Sequence, residues 1–177
     1  ANISNISWSS GNSPGIFDVN GIGHFTESTG SFPFSEGIIL SSGDALLAAG
    51  PNSGIGEASS GSFGWSGDSD LDALFAGDFP PVTTNNASVI EFDFVPLTNN
   101  ISFRFIMASE EYDAGTFECN YSDVFAFLLT DESGNTSNLA VIPNTNTPIA
   151  VTNIRPGNSE CTPENPEYFH GYTPLGQ

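Results

Sequence analysis

Glycine, serine, asparagine, threonine and proline divide the sequence into short apolar runs, and this division constrains the fold more than any other feature. Short apolar runs bounded by turn-forming residues are typical of all-β domains. The apolar positions favour Phe, Ile and Val, with 15 Phe against one Met, and such side chains suit pleated, half-buried surfaces. We therefore predict an all-β fold, specifically an antiparallel β-sandwich of jelly-roll type with long loops and at most one short helical turn.

The 177 residues are enough for one domain with a core of its own, so we predict a single β-sandwich domain over residues 1–177. No stretch is long and apolar enough to span a bilayer as a helix. Strands are predicted at 37–41, 88–95, 101–109, 124–130, 139–142 and 149–154, a helical turn at 70–75 capped by Ser69 or Asp68, and loops at 1–15 and 155–177.

Two neighbouring predicted strands, 88–95 and 101–109, can be paired in register. Because strand side chains alternate between two faces, matching the apolar faces sets Phe94 opposite Phe103. The other face of the hairpin then places Asp93 across from Arg104. The pattern predicts a cross-strand ion pair between these two side chains.

The charge of the chain excludes several partners. There is no lysine, and Arg104 and Arg155 stand against 21 acidic residues, for a formal net charge of −19. Nucleic acids and anionic membranes attract Lys and Arg, so neither is an expected partner, and no membrane insertion is expected. So large a charge repels itself in a compact state, and we expect divalent cations, Ca²⁺ above all, to offset part of it. The alternative is that the charge serves only solubility.

The strongest candidate for a metal site is the acidic segment that follows the predicted strand at 101–109. It holds Glu110, Glu111 and Asp113, with Asp123 ten residues further on. If the strand continued, Glu110 and Glu111 would point to opposite faces, so at least one would face inward. A buried carboxylate needs a cation or N–H donors, and the chain has few cationic side chains. These four residues are the predicted Ca²⁺ ligands.

A second acidic cluster contains Asp68, Asp70 and Asp72. The alternating Asp pattern is similar to the start of an EF-hand loop, but position six would be Ala73 and position twelve Phe79, so this is not an EF-hand. Asp68 and Asp70 are therefore second-choice Ca²⁺ ligands. The competing interpretation is a helix N-terminus, where negative charge is favourable.

Cys119 and Cys161 are the only cysteines of the sequence. Their spacing is neither that of a zinc site nor that of a redox motif. In an extracellular chain they would form a disulfide, and the alternative is a pair of buried free thiols.

Catalytic interpretations are weaker than binding interpretations. Residues 11–15 match the G-x-S-x-G pattern, but Pro14 lacks the N–H that the residue after the nucleophile donates. Glu110 with Glu111 or Asp113 would suit a glycoside hydrolase only at the right separation. His24 and His170 are isolated, which argues against zinc. We predict that the chain is not an enzyme and has no catalytic residues. A glycoside hydrolase is the weakest alternative.

Aromatic residues in or beside predicted loops offer another function. Such side chains stack on sugar rings or anchor protein partners, although they also pack the ends of a sandwich. A carbohydrate-binding module is therefore the alternative to an adhesive or structural module. The aromatic residues concerned are Trp8, Trp65, Tyr112, Tyr121, Tyr168 and Tyr172.

Several segments form an ordered series of motifs over about residues 16–175. The most specific are Ala108–Tyr112 (ASEEY), followed by Ser122–Phe127 (SDVFAF). The others are Gly37–Gly43, Gly50–Asn52, Gly67–Leu71, Ile90–Pro96, Ser102–Phe105, Ile142–Ile149 and Thr152–Ile154. Together, and in this order, these segments resemble the choice-of-anchor L domain family.

The resemblance implies a secreted bacterial cell-surface module with an adhesive or structural role and no catalytic residues. The expected partner is a surface glycan or a protein. Members of the family usually continue past the region of Gly171–Thr173 into further strands, whereas this chain ends at Gln177. We expect that the terminal strands have been trimmed, or that a separate chain completes the sheet edge.

Overall fold

The structure is a computed structural model that describes residues 1–11, 19–27, 30, 32–51, 64–77 and 82–173. It divides into two compact units. The first comprises Ala1–Gly50 and Ala58–Ile106, and the second comprises Pro51–Glu57 and Met107–Gln177. Most regular structure is β-strand, and the two α-helices have six and four residues, so the fold is all-β as predicted.

The first unit holds four strands in two antiparallel pairs. The strands are β1 (Asn2–Ser9), β2 (Ile22–Thr26), β3 (Glu36–Leu40) and β4 (Val89–Val95). β1 pairs with β4, and β2 pairs with β3. Helix α1 (Ser69–Leu74) and a 3₁₀ helix at Ala45–Ala49 lie between β3 and β4 in the chain.

Serine side chains link the ends of these pairs. Ser88 Oγ donates to Ser41 O at 2.6 Å and lies 2.9 Å from Ser10 Oγ, which accepts from Gly21 N at 2.7 Å. Ser88 precedes β4, whereas Ser41 follows β3 and Gly21 precedes β2. These polar contacts tie the β1–β4 pair to the β2–β3 pair within this unit.

The second unit contains shorter strands. Helix α2 (Phe117–Asn120) precedes β5 (Val124–Phe125), β6 (Leu128–Thr130), β7 (Thr136–Asn138) and β8 (Ile149–Ala150). β5 pairs with β8, and β6 pairs with β7, both antiparallel. Two 3₁₀ turns follow, at Val151–Asn153 and Pro166–Tyr168.

The apolar core of the second unit forms around Ala140, Ile142 and Ile149, all buried. Partly buried apolar side chains pack against it, namely Met107, Phe125, Phe127 and Ile154. Within the described residues each sheet has two strands and none closes on itself.

Several predicted elements are confirmed. β3 and β4 match the strands predicted at 37–41 and 88–95 within one residue. Helix α1 forms where the helical turn was predicted, and Asp68 is its N-cap. The strands predicted at 124–130 and 149–154 form only in part, as β5 with β6 and as β8.

The prediction of a loop over residues 1–15 is wrong, because β1 occupies Asn2–Ser9. The cause is a bulge. The register passes from Ser4 opposite Asp93 to Ser7 opposite Glu91, so two residues of β1 stand opposite the single Phe92. The extra residue breaks the two-residue alternation that identifies a strand.

The predicted hairpin of 88–95 with 101–109 is also wrong. No strand is assigned at 101–109, and β4 pairs with β1 instead. Asp93 accepts from Asn5 Nδ2 at 2.6 Å, while the Arg104 guanidinium lies 4.7 Å from the centroid of the Phe34 ring. The two side chains that were expected to pair therefore have other partners.

Similarly, the strand predicted at 139–142 is replaced by β7 at Thr136–Asn138 and an isolated bridge between Val141 and Pro148. Asn138 accounts for the shift. Its Oδ1 accepts from Phe127 N at 3.1 Å and from Ala140 N at 3.0 Å, so this side chain takes the backbone donors that a longer ladder would use.

Candidate functional site

Two of the predicted metal ligands, Glu111 and Asp123, meet in the second unit. Ser109 Oγ lies 2.8 Å from Asp123 Oδ2 and also contacts the Glu111 carboxylate. A hydroxyl carries a single proton, so Ser109 cannot donate to both carboxylates at once. The two acids therefore compete for one hydroxyl proton.

The electrostatics of Glu111 agree with this geometry. Burial raises the pKa of Glu111, and the hydrogen bond from Ser109 opposes this. The negative charge of Asp123 and a hydrogen bond between the two carboxyl groups raise the pKa of Glu111 further. Burial and the neighbouring charge thus favour the neutral form of Glu111 more than in a free carboxyl group.

The other two predicted ligands of this segment do not join them. Asp113 Oδ1 accepts from Gly115 N at 2.8 Å and closes a turn in which Ala114 has φ +57°. Glu110 is half-buried. In the described part of the chain, no three His, Cys, Asp or Glu side chains form a group that could hold a metal ion. Two carboxylates converge, and the predicted set of four does not.

Asp68 and Asp70 lie in the first unit, at the start of α1. Asp68 Oδ1 accepts from Asp70 N at 2.8 Å and from Leu71 N at 3.2 Å, which is the geometry of an N-cap. Asp72 accepts from both the backbone N and the hydroxyl of Thr84, each at 2.7 Å, and these bonds lower the pKa of Asp72. The cluster thus organises the helix N-terminus, which was the competing interpretation.

The structure joins Cys119 and Cys161 in a disulfide, with their Cα atoms 5.8 Å apart. Glu118, which precedes Cys119, is the one charged side chain fully buried in the described chain. Asn158 Nδ2 donates to Glu118 Oε1 at 2.7 Å, and the Tyr172 hydroxyl lies 3.0 Å from Glu118 Oε2. Sequence reasoning missed this buried carboxylate, because no local pattern brings residues 118, 158 and 172 together.

The charge of Glu118 affects two tyrosines. Burial, then the charges of Glu118 and Tyr172, raise the pKa of Tyr112 to about 12. Burial, then the hydrogen bond to Glu118 and its charge, raise the pKa of Tyr172 to about 12. The Tyr112 hydroxyl donates to Ile154 O at 2.6 Å, and its ring packs 5.0 Å from that of Phe169. Both tyrosines therefore have a structural role, because their hydroxyl groups form hydrogen bonds within the second unit.

The remaining aromatic candidates differ in exposure. Trp65 is held by a hydrogen bond from its Nε1 to Ala87 O at 2.8 Å. Trp8 is 71% exposed and Tyr121 is 60% exposed. Tyr168 forms part of the last 3₁₀ turn. The G-x-S-x-G segment lies outside the described residues from position 12 onward.

An acidic all-β chain with a disulfide is typical of proteins outside the reducing cytosol. Within its described residues the structure contains no helix that is long and apolar enough to cross a membrane. The strands and the cross-link define the class as a disulfide-bonded, all-β module.

The sequence model of the choice-of-anchor L domain family matches residues 1–177, and the chain belongs to this family. The family implies a protein of the cell surface and a kind of module that is not an enzyme. No curated protein and no solved structure gives a significant match to the chain.

Proposed function

We propose that the chain is a non-catalytic, adhesive or structural module of a bacterial cell surface, stabilised by Ca²⁺ bound at Glu111 and Asp123. The observation that carries the proposal is the convergence of these two carboxylates on Ser109 Oγ. A divalent cation there neutralises both acids in a chain with a net charge of −19. Carboxylate and hydroxyl oxygens are ligands that Ca²⁺ accepts.

The proposed ion does not obtain a full shell from side chains alone. Ca²⁺ takes about six to eight oxygens, and the described site supplies two carboxylates and one hydroxyl. Backbone carbonyls and water complete the shell, and Glu110 and Asp113 are the nearest further acids in sequence. The proposed ion fixes the segment that leads into α2. In this way it also stabilises the proposed β-sandwich arrangement of the single module.

A non-catalytic role also agrees with the separation of the acids. The two carboxyl groups of a glycoside hydrolase stand about 5 Å or more apart, which leaves room for the sugar or a water molecule. Glu111 and Asp123 instead contact the same Ser109 hydroxyl. This pair suits a bound cation better than hydrolysis.

The test is thermal unfolding of the full chain in EDTA and with added Ca²⁺. At a Ca²⁺ concentration of about 100 times Kd, binding stabilises the native state by about 2.7 kcal/mol. For a domain of this size that corresponds to a rise in Tm of roughly 5–10 °C. We expect this rise in the native chain, and we expect Glu111→Gln with Asp123→Asn to abolish it.

The control is Asp70→Asn, which removes one acidic charge, against two in the double variant, and lies at the start of α1 in the first unit. It should leave the response to Ca²⁺ intact. A Tm that does not respond to Ca²⁺, or one that responds equally in both variants, contradicts the proposed site.

A second candidate function is glycan binding. The exposure of Trp8, at 71%, favours it, because an exposed indole face stacks on sugar rings. A glycan array with the native chain and with Trp8→Ala is the test, and Trp65→Phe is the comparison because Trp65 is engaged by Ala87. Absence of binding across the array removes this candidate.

A further inference from the structure

Among the residues that the structure describes, the outer edge of β1 has no neighbouring strand. β1 pairs with β4 along one edge, and no other strand in the described residues pairs with it. All eight of its residues are exposed. In an antiparallel pair, alternate N–H and C=O groups of each strand point away from the neighbour, so this edge presents free backbone donors and acceptors.

β1 lacks most of the features that protect an edge strand. Proteins commonly guard such edges with lysine, other charged side chains, proline or a bulge. Asn2–Ser9 contains no charged residue and no proline, and its one protecting feature is the bulge at Asn5 and Ile6. Asn5 holds that bulge in place through its bond to Asp93. An added strand could therefore pair with β1 on either side of the bulge, and a strand that pairs along the whole edge must accommodate the bulge.

The exposed apolar side chains of β1 favour apolar residues on one face of the partner strand. Ile3, Ile6 and Trp8 are 56%, 60% and 71% exposed, although each is a large apolar residue. Ile3 lies opposite Phe94 and Trp8 opposite Ile90, so the apolar face of β4 continues onto β1. A strand added beside β1 would cover these side chains with its own apolar residues.

The opposite face of this sheet favours positively charged side chains on the partner strand. Ser4 and Ser7 lie opposite Asp93 and Glu91, both exposed. Strands are spaced about 4.8 Å apart, and serine is short, so a lysine or arginine on an added strand reaches across β1 to these carboxylates. A second copy of this chain, with a net charge of −19 and no lysine, would bring repulsion instead.

We propose that the outer edge of β1 binds an extended segment of another protein that alternates apolar residues with Lys or Arg, which adds as a strand to the β1–β4 sheet. This is the β-augmentation mode of recognition, in which the backbone supplies affinity and alternate side chains supply specificity. The proposal does not use the Glu111–Asp123 site, so the failure of either experiment leaves the other proposal standing.

The test uses a synthetic peptide of roughly ten residues that alternates valine and lysine, with a valine–glutamate peptide as its counterpart. Amide hydrogen exchange of the full chain reports which residues become protected, and calorimetry at low and high salt reports affinity. In the free protein we expect fast exchange at the alternate β1 amides that point away from β4. The lysine peptide should protect these amides and should bind at least about tenfold more tightly than the glutamate peptide.

The variant Ser7→Lys places a guarding charge on the edge, and Ser137→Lys is its control. Ser137 is also exposed and lies in β7 of the second unit, so Ser137→Lys changes the net charge by the same amount at another strand. Ser7→Lys should weaken binding of the lysine peptide about tenfold, and Ser137→Lys should weaken it much less.

Three results would overturn the proposal. Slow exchange, in the free protein, of the β1 amides that point away from β4 would mean that the edge is already covered. Equal effects of the two variants would mean that the peptide responds to net charge alone. A second copy of the chain as the occupant would appear as self-association that protects β1 without any peptide.

Discussion

Replacement of Cys119 and Cys161 by serine removes a cross-link between positions 42 apart in sequence. In the chain-entropy model, closing a loop of this length raises the free energy of unfolding by about 4 kcal/mol, because the unfolded chain loses conformational freedom. For a domain of this size, each kcal/mol corresponds to about 2–4 °C in Tm. We therefore expect the double variant to melt roughly 8–16 °C below the native chain.

The local contacts show what else depends on the cross-link. Asn158 Oδ1 accepts from Cys161 N at 3.2 Å, and Asn158 Nδ2 donates to Glu118, the residue before Cys119. The disulfide therefore holds together two segments that also satisfy a buried carboxylate. When the cross-link is absent, opening of these segments exposes Glu118 to water, and hydrogen exchange around residues 115–120 should increase in the folded state.

The assay is thermal unfolding followed by circular dichroism, for the native chain with and without a reducing agent and for the double serine variant. The reduced native chain corrects for the change from sulfur to oxygen at two half-buried positions. Both should melt at similar temperatures, and a reducing agent should not affect the variant. If both melt within about 2 °C of the oxidised chain, the loop-entropy argument fails for this protein.

Two further predictions concern the same unit. Folding favours the neutral Tyr172 phenol, because the pKa of this group is raised from 10.0 to about 12 in the folded state. The free energy of unfolding should therefore fall as pH rises from about 10 to about 12. In the Glu118→Gln variant, an absorbance titration should show a lower pKa for Tyr172. Gly157→Ala should destabilise by about 2–4 kcal/mol in chemical denaturation, because φ is +79° and a Cβ would lie 2.5 Å from Pro163 N. Gly134→Ala, with φ +82° and no atom within 4 Å, should cost only about 1 kcal/mol, and equal losses would contradict the steric argument.

Local sequence signals predicted the elements whose causes are local. The N-cap of α1 depends on Asp68 and the two backbone N–H groups that follow it, all within four residues. β4 shows a clear two-residue alternation of Phe and acidic residues, and it forms where that alternation is. In both cases the residues that decide the structure are close neighbours in the chain.

Long-range pairing was not predictable in the same way. The partner of β4 is β1, more than eighty residues earlier, and the bulge at Asn5 conceals the alternation of β1. Phe103 and Phe105 alternate well enough to predict a strand, yet none is assigned there. Apolar alternation shows that a segment can lie on a pleated surface, but it does not say which partner will be in place.

The candidate site shows the same division. Sequence reasoning selected Glu111 and Asp123 from the density of acidic residues and the shortage of cations. It did not predict that Ser109 would bring these two together while Asp113 turned to Gly115. Nor did it predict the buried Glu118, which depends on Asn158 and Tyr172 from distant segments.

Composition, turn punctuation and ordered motifs were sufficient to determine the all-β class and the family, because these properties are summed along the chain and do not depend on contacts. The partner of each strand and the pair of carboxylates that meet were decided by the tertiary structure. The physical reason is that a pairing energy depends on the distance between two groups, and residues far apart in sequence have no defined distance until the chain has folded.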